Sequence, residues 1–209
     1  MYGELSKQCG STAVICLVAG QKIVCANLGD ARALMCRNGK ALDLSVDYKA
    51  SRKDEQERIK SQGGYIVFGR VLGRLAVTRA FGDFECKQIP IKNEETKEKE
   101  LRNFVLCEPE VRVTTINKQT DDFILLASDG LFDRFSSQEC VDIARAKFVE
   151  NELMEQDPKE VARHLVLEAV KARVNSDNTT AIIVSLNSGI DTNLERNANL
   201  GSLMDSMQN

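Results

Sequence analysis

The chain has 209 residues, of which 43% are apolar and 28% charged, enough to build one packed interior under an ordinary charged surface. Its net charge of -3, with no separate block of lysines or arginines, lacks the electrostatic footprint of a nucleic-acid binder, so no nucleic-acid partner is expected. Apolar runs such as Thr12 to Gly20 and Phe123 to Ala127 fall far short of the roughly 20 residues of a helical bilayer span, and Met1 to Gly10 has no signal-peptide core.

In chain order, the first elements read as a meander of strands over Thr12 to Ala19, Lys22 to Leu28, Ala31 to Arg37 and Lys40 to Leu44. Asn38-Gly39 predicts a tight hairpin between the last two, because both residues tolerate positive φ. Ser51 with Asp54 predicts a capping box for a short exposed helix reaching Gln62, stopped by Gly63-Gly64. Tyr65 to Phe68 reads as a strand, Leu75 to Phe81 as an apolar segment of either kind, and Lys92 to Arg102 as a solvated loop or surface helix.

Val111 to Ile116 and Phe123 to Ser128 are two further strands, the second apolar enough to be buried on both faces. Ser136 with Glu139 forms a capping box for one helix; Asp157, Pro158 and Glu160 open another that reaches about Val174. Thr180 to Leu186 is a last strand. Residues 1–187 are expected to form one domain, with 188–209 a patternless disordered tail. Strands beside strands and helices in pairs indicate an α+β layered fold.

Seven cysteines form no CxxC pair and mostly lie within apolar runs, as small core residues do in a reducing compartment. An intracellular location, cytoplasmic or nuclear, is therefore expected. The single histidine, His164, lies off the apolar stripe of its helix and reads as a surface residue.

The chemistry-bearing pattern is a set of aspartates at strand ends. Asp129 follows an apolar strand in Ser128-Asp129-Gly130, Asp177 precedes another in Ser176-Asp177-Asn178, and Gly29-Asp30 makes a third such turn. Turn-borne carboxylates of this kind suit hard divalent cations, which take oxygen ligands.

The motifs then fall into a known order. Gly10-Ser11-Thr12-Ala13, Asn27-Leu28-Gly29-Asp30-Ala31-Arg32, Asp47-Tyr48-Lys49, Gly63-Gly64, Leu75-Ala76-Val77-Thr78-Arg79-Ala80-Phe81-Gly82-Asp83, Ser128-Asp129-Gly130-Leu131-Phe132-Asp133 and Ser176-Asp177-Asn178-Thr179-Thr180 together resemble the PP2C family of metal-dependent serine/threonine protein phosphatases. The resemblance covers about Gly10 to Leu186. It implies a layered β-sandwich flanked by helices (α-β-β-α), incomplete at the N-terminus, since that family's first metal-binding acids and phosphate-binding arginine lie upstream of the Gly-Ser-Thr-Ala strand.

By the same resemblance, Asp129 and Asp177 are expected to bind a pair of Mn²⁺ or Mg²⁺ ions, with Asp30 and Asp133 beside Asp129 around a weaker third. Arg70 is expected near the substrate, and Tyr48 and Ala50 read as neutral variation. The implied reaction is hydrolysis of phosphoserine or phosphothreonine in phosphorylated proteins by a metal-activated water. The alternative is a catalytically inactive relative that acts as a binding or regulatory module. The missing segment would also leave an open strand edge and apolar surface, so the chain is expected to self-associate.

Overall fold

The computed structural model describes residues 9–92, 98–150, 157–171 and 177–186. The expected tail and the end of the last helix lie outside them. The meander folds as expected, into β2 (Ala13–Ala19), β3 (Lys22–Leu28), β4 (Arg32–Arg37) and β5 (Lys40–Asp43), after a short β1 (Gly10–Ser11). It is divided between two sheets: β3 pairs with β2 and with β11 (Glu110–Thr115), while β4 pairs with β5 and with β12 (Asp121–Ala127). β12 in turn pairs with β13 (Ala181–Ser185), so the second sheet runs β13-β12-β4-β5, all antiparallel.

Alternation along the strands gives each sheet two faces. Ile23 and Cys25 of the first sheet meet Ala33, Met35 and Ile124 of the second in one buried cluster. The opposite face of the second sheet, with Leu34, Cys36, Phe123, Leu125 and Ile183, receives two helices. We label the helices α1 (Lys53–Ser61), α2 (Asp129–Phe132), α3 (Ser137–Glu150) and α4 (Pro158–Lys171). α3 and α4 seat Cys140, Val141, Ala144, Phe148, Val161 and Leu165 on that sheet, and the rings of Phe123 and Phe148 meet at 5.6 Å.

The described layers are thus β-β-α. No described helix covers the outer face of the first sheet, where Ile15, Leu17, Val111 and Val113 stand 61%, 60%, 56% and 62% exposed. β2 forms the outer edge of that sheet, pairing only with β3 among the described residues.

A smaller lobe lies beside the sandwich, built on Ile59, Val71, Val77, Ala80, Phe104 and Val105. It contains α1, the hairpin of β6 (Ile66–Val67) and β7 (Arg70–Val71), and the hairpin of β9 (Ile89–Lys92) and β10 (Lys99–Arg102); between these, β8 (Phe81–Gly82) pairs with β1.

Three local expectations are corrected here. Ser51 caps nothing: α1 has Arg52 at its N-cap with no side-chain cap bond, and Arg52 instead pairs with Asp54. That helix is not simply exposed, because Ile59 and Glu55 are buried, Glu55 between Arg58 and Arg79. Within Lys92 to Arg102, the last four residues form a strand, since pairing with β9 satisfies their backbone groups. By contrast, the Ser136/Glu139 box is present in full, with Ser136 N–H donating to Glu139 Oε2 (2.7 Å) and Glu139 N–H to Ser136 Oγ (3.2 Å).

Candidate functional site

Antiparallel register brings the aspartate turns together. Ala127, at the end of β12, pairs with Ala181 at the start of β13 and with Arg32 at the start of β4. The segments carrying Asp129, Asp177 and Asp30 therefore leave the same end of the second sheet. Ser128 clamps two of them by donating its hydroxyl to the Asn178 carbonyl (3.3 Å) while accepting from Thr180 N–H (3.1 Å).

Glycine is required at two points of this arrangement. A Cβ on Gly130 would lie 2.6 Å from the Asn178 carbonyl oxygen, so its absence lets the Asp129 turn pack against the Asp177 turn. Gly29 takes φ +108, and a Cβ there would run into the Thr12 methyl; this left-handed residue turns the chain so that Asp30 stands at the sheet end.

The carboxylates feel one another. Burial, and then the charge of Asp129, pushes Asp30 up to about 6 from 3.8. Asp129 is itself raised by burial and by the neighbouring Asp133 and Asp177. Asp133 follows one turn after Asp129, its N–H bonded to the Asp129 carbonyl (2.7 Å). The four positions named from sequence thus form one electrostatic group, Asp30 buried, Asp129 half-buried, Asp133 and Asp177 exposed.

Sequence reasoning gave Lys49 no role, although it lies within Asp47-Tyr48-Lys49. Its ammonium donates to Asp133 Oδ1 at 2.7 Å and also feels Asp30 and Asp47. Those contacts outweigh burial and raise its affinity for protons. Arg32 holds the same loop through a two-pronged bond to Asp47 (2.9 and 2.8 Å).

Tyr48 is also more than neutral variation. Its buried ring lies under the guanidinium groups of Arg79 and Arg52 at 3.9 and 4.2 Å, and its hydroxyl donates to Glu110 (2.7 Å), tying the small lobe to the sandwich. Arg70 lies on β7, where it donates to the Arg74 carbonyl (2.8 Å) in the turn that follows that strand. His164 is half-buried on α4.

As cation ligands the residues fit in chemistry: four hard oxygen donors whose mutual repulsion a divalent ion would relieve. Among the described residues no three Asp, Glu, His or Cys side chains converge closely enough to hold an ion unaided, so a complete shell takes further oxygens.

Comparison with known proteins gives the setting. Residues 3–179 match the sequence profile of the family described as Protein phosphatase 2C. A rice protein described as probable protein phosphatase 2C 45 is 39% identical over 180 residues, which is 85% of this chain and 55% of that protein. Among solved structures, a C. elegans sex determining protein superposes with TM-score 0.70 at 28% identity, over 85% of this chain and 40% of that one. The serine-threonine phosphatase 2C from Toxoplasma gondii shares the fold with TM-score 0.67 at 24% identity, over 88% of this chain and 60% of that one. The chain spans about half the length of the curated relatives it matches.

Proposed function

Because this chain belongs to the protein phosphatase 2C family, we propose that it forms the part of a metal-dependent serine/threonine protein phosphatase that carries Asp30, Asp129, Asp133 and Asp177. The observation that carries the reading is the gathering of three Asp-bearing turns at one end of the β13-β12-β4-β5 sheet. Asp129 and Asp177 would hold a pair of Mn²⁺ or Mg²⁺ ions, and Asp30 and Asp133, with Asp129, a third. Bound there, the ions supply an activated water and neutralise charge on the phosphoryl oxygens.

The chain's own contribution is placement. Gly29 and Gly130 fix the turns, Ser128 holds the Asp129 and Asp177 segments together, and Lys49 balances carboxylate charge. Arg70, on an exposed hairpin, offers a guanidinium to a phosphorylated protein substrate. Binding energy spent on such positioning, and not a covalent enzyme intermediate, lowers the barrier to phosphomonoester hydrolysis.

The test has two arms. The 209-residue chain titrated with Mn²⁺ and followed by electron paramagnetic resonance should bind the ion, and Asp129→Asn should abolish binding; no binding by the wild-type chain would sink the metal assignment. Alone, the chain should release phosphate from a phosphothreonine peptide very slowly, and fusion behind the upstream portion of a relative should restore turnover that Asp129→Asn removes. Mn²⁺ binding and phosphopeptide binding without turnover in that fusion would favour the second reading, an inactive binding module.

A further inference from the structure

Two cysteines face each other across the β2-β3 hairpin. The strands are joined by Gly20-Gln21, and the ladder runs without interruption from Ala19↔Lys22 to Ala13↔Leu28, with Cys16 opposite Cys25. A two-residue loop makes Ala19/Lys22 a hydrogen-bonded pair, so alternation makes Cys16/Cys25 a non-hydrogen-bonded one. The other neighbour of β3 agrees: Ile116 N–H donates to the Gln21 carbonyl (2.8 Å), which makes Lys22/Thr115 a non-hydrogen-bonded pair and turns the backbone groups of Cys25 toward β11. In non-hydrogen-bonded pairs opposite Cα atoms lie about 4.5 Å apart and their side chains are closest. That separation falls within the range a disulfide spans.

We infer that Cys16 and Cys25 form a reversible oxidation site, a dithiol that a hydroperoxide converts to a cross-strand disulfide within one chain. Cys16 is the sulfur that reacts first. It is half-buried on an edge strand, whereas Cys25 is buried behind it. The facing Cys25 thiol favours the Cys16 thiolate, and the same proximity, with burial, holds the proton on Cys25.

In the first step the Cys16 thiolate attacks one peroxide oxygen, the O–O bond breaks, hydroxide leaves and takes up a proton, and Cys16 becomes a sulfenic acid. The Cys25 sulfur then attacks the Cys16 sulfur; the S–O bond breaks, and the hydroxyl leaves as water with the Cys25 proton. Two electrons pass from the two sulfurs to the peroxide, and two waters are released. No other described cysteines are opposed in register: Cys36 donates to Asp122 (3.2 Å), and Cys86 and Cys140 are buried in separate clusters.

The full chain would be treated with hydrogen peroxide in native buffer, then unfolded with N-ethylmaleimide and mapped by tandem mass spectrometry that separates Cys16 from Cys9. A dominant Cys16–Cys25 link, reversed by dithiothreitol and not favoured when oxidation is done in denaturant, is the expected result. Cys16→Ser should leave Cys25 alkylated; the wild-type map decides the matter even if that variant does not fold. Recovery of both cysteines as maleimide adducts, over-oxidation of Cys16 with Cys25 still reduced, or links dominated by the exposed Cys9 or Cys107 would overturn the proposal.

Discussion

Asp30, two residues before β4, lies in the field of Asp129, the first residue of α2, and burial together with this charge lifts the Asp30 carboxyl to about 6. A raised carboxyl favours the fold in its neutral form. Its contribution is therefore fully present below the ordinary value of 3.8 and is lost as pH rises through about 6. Asp30→Asn removes that loss. Metal-free melts should show the variant more stable than wild type by about 1–2 kcal/mol near pH 7.5, after allowance for screening, and the two nearly equal near pH 4. Equal stability at both pH values would contradict the buried, repelled state of Asp30.

Lys49 supplies a tethered positive charge to the same group through Asp133. Both side chains are substantially exposed, 36% and 56%, so Lys49→Met should cost only about 0.2–1 kcal/mol in metal-free buffer. The larger effect should appear with cations. Without its ammonium competing for Asp133, the chain should gain more thermal stability from added Mn²⁺ than wild type does, measured by calorimetry across a Mn²⁺ series. An unchanged Mn²⁺ response would remove Lys49 from the site's electrostatics.

Gly130→Ala tests whether the two turns must touch. The new methyl would meet the Asn178 carbonyl oxygen at 2.6 Å, so the Asp129 and Asp177 segments must separate. We expect a stability loss of about 1–3 kcal/mol, read from urea unfolding, and weaker Mn²⁺ binding. Wild-type behaviour in both would mean that this contact is dispensable.

The outer face of the first sheet, which no described helix covers, predicts association. Ile15, Leu17, Val111 and Val113 lie on its outer side, with Val24 and Ala26 between them in register. Leaving that surface in water costs roughly 25 cal/mol for each Å². Sedimentation velocity should show concentration-dependent self-association of the 209-residue chain, reduced by Leu17→Glu with Val113→Lys. A monodisperse wild-type monomer at high concentration would mean that the face is satisfied within the chain.

Patterns that act over a few residues could be read from the sequence alone. The β12 run, the Asn38-Gly39 turn and the Ser136/Glu139 box depend on a continuous apolar stretch, positive φ and side chains three residues apart, and each is found where it was expected. The aspartate turns were visible for the same reason. Ser51 misled because a capping residue works only if the helix starts beside it, and α1 starts after Arg52. What only the tertiary structure decided is which distant residues meet. The antiparallel register of β4, β12 and β13 gathers Asp30, Asp129 and Asp177, loop packing brings Lys49 to Asp133, and lobe docking lays Arg79 over Tyr48. Sequence spacing carries no record of such contacts, because they arise from strand pairing and packing between segments far apart along the chain.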